Sequence, residues 1–416
     1  MKVYLEVYGC TANKSDASLV KGILKENSYE IVNEINKAET LILLTCTVIG
    51  TTEQRMLYRL KKFKETGKQI IVGGCMASVQ SDLVKSIAPD VKLMPPQYSH
   101  QILDVINDEK PVFEAKNKTN FSKSYEDIIA PISIAEGCNF SCAYCITSKA
   151  RGKLKSYPID EIENDIYKAL KQGCKEIQIT SQDTSSYGTD NGKNLGDLLT
   201  NISKINGKFR IRVGMMNPYT CLKNLNRIIN GYKSSKIYKF LHIPVQSGDN
   251  VILEKMNRKY NVDDFLKIIK KFKSFYPDIT ISTDIIVGFP TETEEQFMTT
   301  VNLLKRIKPD ITNITRYSAR PNTKAKNMKG RVNTSIAKER SKYLTDLCSK
   351  ISKQNNLEHI ERTYDVLITE KGKENTFVGR SENYKPVVLK EKVPIGEFRK
   401  VKITKAASSF LVGSII

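Results

Sequence analysis

Residues 128–145 read IIAPISIAEGCNFSCAYC. An apolar run of strand length, 129–135, leads into three cysteines, Cys138, Cys142 and Cys145, spaced C-x3-C-x2-C. That run opens a series. Candidate strands at 129–135, 176–180, 208–213, 238–245, 279–286 and 311–316 alternate with helical patterns at 159–171, 195–204, 222–231, 262–275 and 294–307. Strands alternating with amphipathic helices predict a parallel sheet covered by helices. Six such units are too many for a small open sheet and predict a partial (βα)6 barrel, with the cysteines in the loop after its first strand.

Upstream, residues 1–110 show a second alternation of strands and helices. Val3–Tyr8, 40–45 (TLILLT) and 69–72 read as strands, with helices expected at 13–25, 52–66, 79–87 and 100–106. An open parallel α/β domain follows. Segment 107–127 has no periodicity and reads as a polar linker or surface loop. Downstream, 334–358 carries one long helical pattern. After it come short alternating runs (TYDVLIT, TFVGR, PVVLK, RKVKITKA, SFLVG) with no helix between them, as in a small β-barrel. The expected architecture is α/β throughout, with an open domain at 1–110, a barrel at 128–355 and a small β-barrel at 356–416.

The bulk properties narrow the class. The 416 residues hold 66 Lys+Arg against 45 Asp+Glu, a net charge of +21, which favours a polyanionic partner such as nucleic acid. No apolar run reaches the roughly 18 residues of a membrane helix, and MKVYLEVYGC lacks the zones of a secretory signal. A cytoplasmic location is expected, so the nine cysteines read as metal or redox chemistry before disulfides.

Three thiolates on one short loop suit three irons of a [4Fe–4S] cluster with the fourth iron left open. A structural zinc site wants four closed ligands, and no fourth Cys or His is near in sequence. An open iron is able to chelate the amino and carboxylate groups of S-adenosylmethionine and pass it an electron. Tyr144, between the last two cysteines, is a candidate to lie beside the adenine.

The chain resembles the radical S-adenosylmethionine methylthiotransferases, and within them the archaeal/eukaryotic branch acting on N6-threonylcarbamoyladenosine in tRNA. The resemblance is carried by VYGCTANKSD, LLTCTV, VGGCMA, EGCNFSCAYCITSKARGKLKSYP, SQDTSSYG, RVGMMNP, HIPVQSGDNVILEKMNRKY, DIIVGFPTETEEQF and YSARPNTKA, in the family's order and over essentially the whole chain. It implies a second [4Fe–4S] cluster on Cys10, Cys46 and Cys75. These three fall at carboxyl ends of expected parallel strands, where open α/β sheets build their sites. It also implies the division of labour. A 5′-deoxyadenosyl radical made at the 138/142/145 cluster abstracts an aromatic hydrogen, and the 10/46/75 cluster delivers methylated sulfur to position 37 of tRNA.

Around the barrel mouth, Ile286, Val287 and Gly288 resemble the family's adenine-contacting segment. Gln182 and Asp183 end one strand, and Gln246 and Ser247 another, where side chains face a barrel's site. Asp183 fits a turn cap equally well. Arg151 and Arg212 suit either the methionyl carboxylate or a structural ion pair.

Nine basic residues between Lys305 and Arg331, with Arg399, Lys400, Lys402 and Lys405 near the terminal strands, suit phosphate contacts. The terminal barrel resembles a TRAM domain, and the anticodon stem-loop of tRNA is the expected partner of a monomeric protein. His100, His242 and His359 show no ligand spacing, and Cys174, Cys221 and Cys348 read as buried thiols. The competing readings are methylthiolation of isopentenyl-adenosine tRNA or of a ribosomal-protein aspartate, and a non-catalytic iron–sulfur RNA-binding protein.

Overall fold

A computed structural model describes residues 1–48, 50–109 and 116–416. It divides into two compact units. The first comprises Met1–Gly173, Gln178–Gln182 and Ser318–Lys326; the second comprises Cys174–Ile177, Asp183–Tyr317 and Asn327–Ile416.

The first unit opens with five strands, β1 (Lys2–Val7), β2 (Glu30–Val32), β3 (Thr40–Thr45), β4 (Gln69–Gly74) and β5 (Lys92–Met94), in the order β2-β1-β3-β4-β5, all parallel. Helices α1 (Thr11–Glu26), α2 (Gly50–Lys64), α3 (Cys75–Val79) and α4 (Ser81–Ile87) fall between them in sequence, and α5 (Ile102–Ile106) follows β5. The unbroken apolar run of β3 has a direct cause. Successive side chains leave a strand on opposite faces, so Leu41 and Leu43 enter a core with Met56, Leu60 and Phe63, while Ile42 and Leu44 enter another with Leu19, Val20 and Ile102. β2 and β5, three residues each, are too short for periodicity to announce them.

The segment expected as a linker, 107–127, partly falls on 110–115, outside the described residues. The rest is packed down rather than loose. Lys118 pairs with Asp16 and Glu136, and Lys123 with Asp165, all of them buried. Beyond it the first unit continues through β6 (Ile129–Ser133), β7 (Ala135–Glu136), α6 (Thr147–Arg151), β8 (Lys155–Ser156) and α7 (Ile159–Lys171). β7 pairs antiparallel with β8, so the cysteine loop is pinched off between two short strands.

In the second unit, β9 (Glu176–Thr180) contributes its start, and Arg210 N–H of β10 (Arg210–Val213) donates to Lys175 O. β11 (Phe240–His242), β12 (Thr280–Val287) and β13 (Ile311–Arg316) pair in parallel. The intervening helices are α8 (Leu195–Ile202), α9 (Pro218–Lys223), α10 (Leu225–Gly231), α11 (Asn250–Lys255), α12 (Val262–Phe275) and α13 (Glu294–Ile307). Capping boxes fix two of their starts, Asn261 with Asp264 and Thr293 with Gln296.

Two expectations shift here. The strand foreseen at 238–245 is regular only over 240–242, with Pro244 and a left-handed Gln246 (φ 69°) ending it. The helix foreseen at 222–231 is two helices meeting at Asn224.

The long helix α14 (Thr334–Leu357) leads to β14 (Thr363–Lys371), β15 (Phe377–Arg380), β16 (Pro386–Leu389), β17 (Phe398–Ala406) and β18 (Leu411–Ile415). These close a barrel in the order β14-β15-β16-β18-β17 around Val366, Ile368, Val387, Leu389, Val401, Ile403 and Leu411. Closure leaves no free sheet edge. Among the described residues no helix is long and apolar enough to cross a membrane.

Candidate active site

Both cysteine trios lie in the first unit. Cys10 is the N-cap of α1 just past β1, Cys46 follows β3, and Cys75 opens α3 directly after β4. Parallel pairing of β1, β3 and β4 puts these three strand ends side by side, as the topology demands.

Close approach of the backbone is built in. Gly9 sits at φ 109°, and a Cβ there would lie 2.7 Å from Cys46 Cβ and 3.3 Å from its Sγ. Gly74 (φ 84°) would meet Thr45 O at 2.4 Å. Only glycine fits either place. Asn13 ties the strand ends together, its Nδ2 donating to Tyr8 O and Thr45 O, each at 2.7 Å.

The thiols also act on one another electrostatically. Burial pushes the Cys75 thiol up to about 12, the Arg151 guanidinium opposes this, and charge on Cys10 and Cys46 adds to the rise. Cys46 is raised first by burial and also by Cys10, with Arg151 again opposing. Cys10 is exposed while Cys46 and Cys75 are buried, so the trio has one open side.

The second trio rests on local geometry. Gly137, at φ 78°, turns the chain where a Cβ would strike Lys153 O at 2.0 Å, and Cys138 N–H then donates to Gly152 O at 3.0 Å. Cys145 N–H donates to Cys142 O, closing a tight turn around Tyr144, and Thr147 N–H donates to Cys145 Sγ at 3.4 Å. All three cysteines and Tyr144 are partly exposed. Segment 318–326 braces the loop, with Ala325 N–H donating to Ala143 O at 2.8 Å and Lys149 Nζ donating to Asn322 O.

Arg151 joins the two regions. It ends α6, six residues past Cys145, and is 2% exposed. Its Nη2 donates to Asn13 Oδ1 and Asp16 Oδ2, both at 2.7 Å, and its Nη1 to Glu136 Oε1 at 3.0 Å. Of the two roles open to it from sequence, the structure gives it the ion pair. Burial works against its charge, but Asp16 and Glu136, then Cys75 and Cys10, hold the charged form firmly.

Among the described residues no three His, Cys, Asp or Glu close on one point as a single metal ion needs. A lone zinc holds each thiolate at about 2.3 Å. In a [4Fe–4S] cube each cysteine binds a different iron, so the ligands stand wider apart. Cysteines on three adjacent strand ends, with glycine at 9 and 74 keeping the backbone free of side-chain bulk, suit such a wider ligand set.

The other candidates are dispersed. Gln182, in the first unit, has a buried Oε1 with no hydrogen-bond partner, as does the Ser181 hydroxyl beside it. Asp183 is buried and engaged on both oxygens, by Ser185, Asn217 and Thr220, so it takes the turn-cap role rather than offering an oxygen to a ligand. The Arg212 guanidinium stands 5.2 and 5.4 Å from the ring centres of Phe240 and Tyr384, and its buried Nε has no hydrogen-bond partner.

Gln246, Ile286, Val287 and Gly288 do come together. Gln246 N–H donates to Asp284 O and Ile286 N–H to Gln246 O, and Gly288 N–H donates to Glu292 Oε2 at 2.8 Å. Arg340 secures that Glu292 at 2.8 Å. A non-glycine residue held at φ 69° marks the strand end as strained. Ser247 is buried beside Thr300.

Of the nine basic residues between 305 and 331, eight are exposed. Arg320 is buried and paired with Glu53, so it is unavailable to phosphate. Sequence reading missed the Asn13–Asp16–Lys118–Glu136 network. Its only trace was the unpatterned polarity of 107–127.

Comparison with known proteins agrees with this layout. The Radical SAM superfamily matches residues 132–304, the Uncharacterized protein family UPF0004 matches 2–95, and the TRAM domain matches 360–416. A protein of Archaeoglobus fulgidus named probable threonylcarbamoyladenosine tRNA methylthiotransferase is 41% identical, covering 100% of this chain and 99% of its own. A tRNA-2-methylthio-N(6)-dimethylallyladenosine synthase of Thermosipho melanesiensis is 34% identical, over 100% of this chain and 99% of its own. The solved structure of the radical S-adenosylmethionine methyltransferase TsrM from Kitasatospora setae shares the fold, with a TM-score of 0.58 at 11% identity over 78% of this chain and 77% of that one.

Proposed function

Because this chain belongs to the radical S-adenosylmethionine methylthiotransferases, we propose that it converts N6-threonylcarbamoyladenosine at position 37 of tRNA to the 2-methylthio derivative. The observation that carries this is that both cysteine trios lie in one compact unit, with Arg151, on the helix after the second trio, bonded to the Asn13 that ties the strand ends of the first. The substrate choice is supported by five archaeal relatives named for threonylcarbamoyladenosine at 36–41% identity, against 34% and 32% for two named for dimethylallyladenosine. A Drosophila melanogaster relative named for threonylcarbamoyladenosine stands at 31%.

Cys138, Cys142 and Cys145 would hold the cluster that binds S-adenosylmethionine, and Cys10, Cys46 and Cys75 a second cluster. These groups supply the radical that removes an unreactive aromatic hydrogen and the sulfur that replaces it. The chain's own part is positional. Gly9 and Gly74 admit inorganic bulk beside the backbone, Asn13 fixes the strand ends, and the brace by 318–326 holds the central loop. Gln182, with its unpartnered oxygen, and the turn Gln246/Ile286–Gly288 are the proposed cofactor contacts, and Tyr144 the ring beside the adenine.

The exposed lysines and arginines of 305–331 and the terminal barrel would meet the anticodon stem-loop through its phosphates. In this reading residues 1–110, 128–355 and 356–416 are the sulfur-carrying, radical-generating and RNA-binding parts of a monomeric cytoplasmic enzyme.

Nucleoside mass spectrometry of tRNA from a strain lacking the gene tests the proposal. The 2-methylthio-threonylcarbamoyl nucleoside should vanish, its unmodified precursor should accumulate, and the wild-type gene should restore it. Loss of the isopentenyl counterpart instead would reassign the substrate.

A further inference from the structure

A guanidinium carries five N–H donors. In Arg151 the two Nη groups are engaged by Glu136, Asn13 and Asp16, while Nε, enclosed in a residue 2% exposed, has no hydrogen-bond partner. An orphaned donor this deep is costly unless an acceptor arrives.

The surroundings say where such an acceptor would be. The helix α6, which Arg151 ends, packs against α3, which Cys75 opens. Asn13, which it grips, bonds the backbone at Tyr8 and Thr45, two residues before Cys10 and one before Cys46. Arg151 therefore stands at the edge where the N-terminal trio converges, yet it is anchored to the helix that follows the central trio.

We infer that Arg151 Nε–H is a donor reserved for a sulfur of the N-terminal cluster, thiolate or bridging sulfide, making Arg151 a positioning residue that tunes that cluster from the central cysteine loop. The inference rests on the reading that Cys10, Cys46 and Cys75 hold a [4Fe–4S] cluster. A cationic donor on a cluster sulfur stabilises the reduced, more negative form and raises its reduction potential. Removing the donor should therefore lower the potential. The polar network behind Arg151 engages both of its Nη nitrogens, so Nε is the nitrogen left for the task.

The test uses the full chain with Cys142→Ala, in which only the N-terminal cluster remains to be observed. Reconstitution should give about four irons. With arginine labelled in 15N, pulsed electron paramagnetic resonance of the reduced cluster should show a weak nitrogen coupling that Arg151→Lys abolishes. The midpoint potential of Arg151→Lys should fall by about 59 mV or more, a tenfold change in the one-electron equilibrium. A quadruple variant, Asp16→Asn, Lys118→Met, Glu136→Gln, Arg151→Met, removes the four mutually paired charges together and should show the same fall.

A four-iron cluster with no arginine coupling, or with an unchanged potential in both variants, overturns the inference and leaves the cluster reading intact. Near-zero iron in Cys142→Ala alone overturns the cluster reading and the inference with it.

Discussion

Cys138, Cys142 and Cys145 share one loop, pinched between β7 and β8, whereas Cys10, Cys46 and Cys75 are brought together from three strand ends spread over residues 10–75. The first trio owes its geometry to local turns: Gly137, the Cys142–Cys145 hydrogen bond, and the brace from 318–326. The second owes its geometry to register, because sliding β1 or β4 against β3 would carry a cysteine away from its partners. A local site is secured by its own loop, while a convergent site is only as well formed as the sheet beneath it.

The largest effect that separates them is chemical. Cys142→Ala should lose about half of the roughly eight irons of two clusters and all production of 5′-deoxyadenosine. Cys46→Ala should lose a similar share of iron yet still cleave S-adenosylmethionine, with methylthiolated product below detection. Iron analysis, nucleoside chromatography and product mass spectrometry read these outcomes together. If Cys46→Ala also abolished 5′-deoxyadenosine, the two regions would not be independent in the way their construction implies.

Next in size is Lys118→Ala, which strikes the network behind both regions. Lys118 is 3% exposed and pairs with Asp16 and Glu136. Its loss leaves two buried carboxylates with Arg151 alone, a change of about 3–5 kcal/mol in the destabilising direction. Denaturant unfolding measures it. Burial opposes the Asp16 charge, and Lys118 and then Arg151 overcome that to hold its pKa low. Lys118→Met together with Asp16→Asn should recover much of the loss. An effect under about 1 kcal/mol would mean that the network adds nothing beyond a surface ion pair.

This contrast also governs what the sequence revealed. The central trio was readable because spacing alone brings the thiolates onto one loop, and β9, β13, α7, α12 and α13 were foreseen to the residue because their periodicity is strong. The N-terminal trio needed the parallel order of β1, β3 and β4, which follows from alternation, but it took the family resemblance to make ligands of lone cysteines. Lys118 and Lys123 were hidden because a charged residue in an unpatterned segment looks solvated until its buried partners are known. Asp183 was overvalued for a related reason. Strand-end position is legible, but whether a side chain is already engaged, as Asp183 is by Thr220 and Asn217, depends on residues far along the chain.

Two glycines sharpen the comparison further. Gly74 and Gly152 hold nearly the same backbone, φ 84°, ψ −160° and φ 77°, ψ −163°, a region essentially confined to glycine. Alanine at either should cost about 1–3 kcal/mol in strain. At Gly74 the new Cβ would also strike Thr45 O at 2.4 Å, whereas at Gly152 its nearest neighbour is Gln97 Nε2 at 3.7 Å. Gly74→Ala should therefore be the more destabilising and should release iron from the N-terminal cluster, while Gly152→Ala keeps both clusters. Equal losses in thermal stability would show that strain alone decides and that the convergent site tolerates movement of its sheet.

The smallest effect lies outside both trios and serves as their control. His359, packed before the terminal barrel and bonded to the Tyr364 hydroxyl, has its pKa lowered from 6.5 to about 4, chiefly by burial and then by Lys385 and Arg362. Because the folded value lies below the unfolded one, the unfolded chain takes up the proton first as pH falls. Stability from this group is complete above about pH 6.5 and is lost progressively toward pH 4. At pH 6 the loss is under about 1 kcal/mol. Melting curves between pH 7.5 and 5 should show a slope that His359→Gln reduces, with iron content unchanged across that range in both proteins. A slope that survives His359→Gln but disappears in Cys75→Ala would move the acid sensitivity from the terminal barrel to the convergent trio, and the division between sheet-built and loop-built sites would have to include pH.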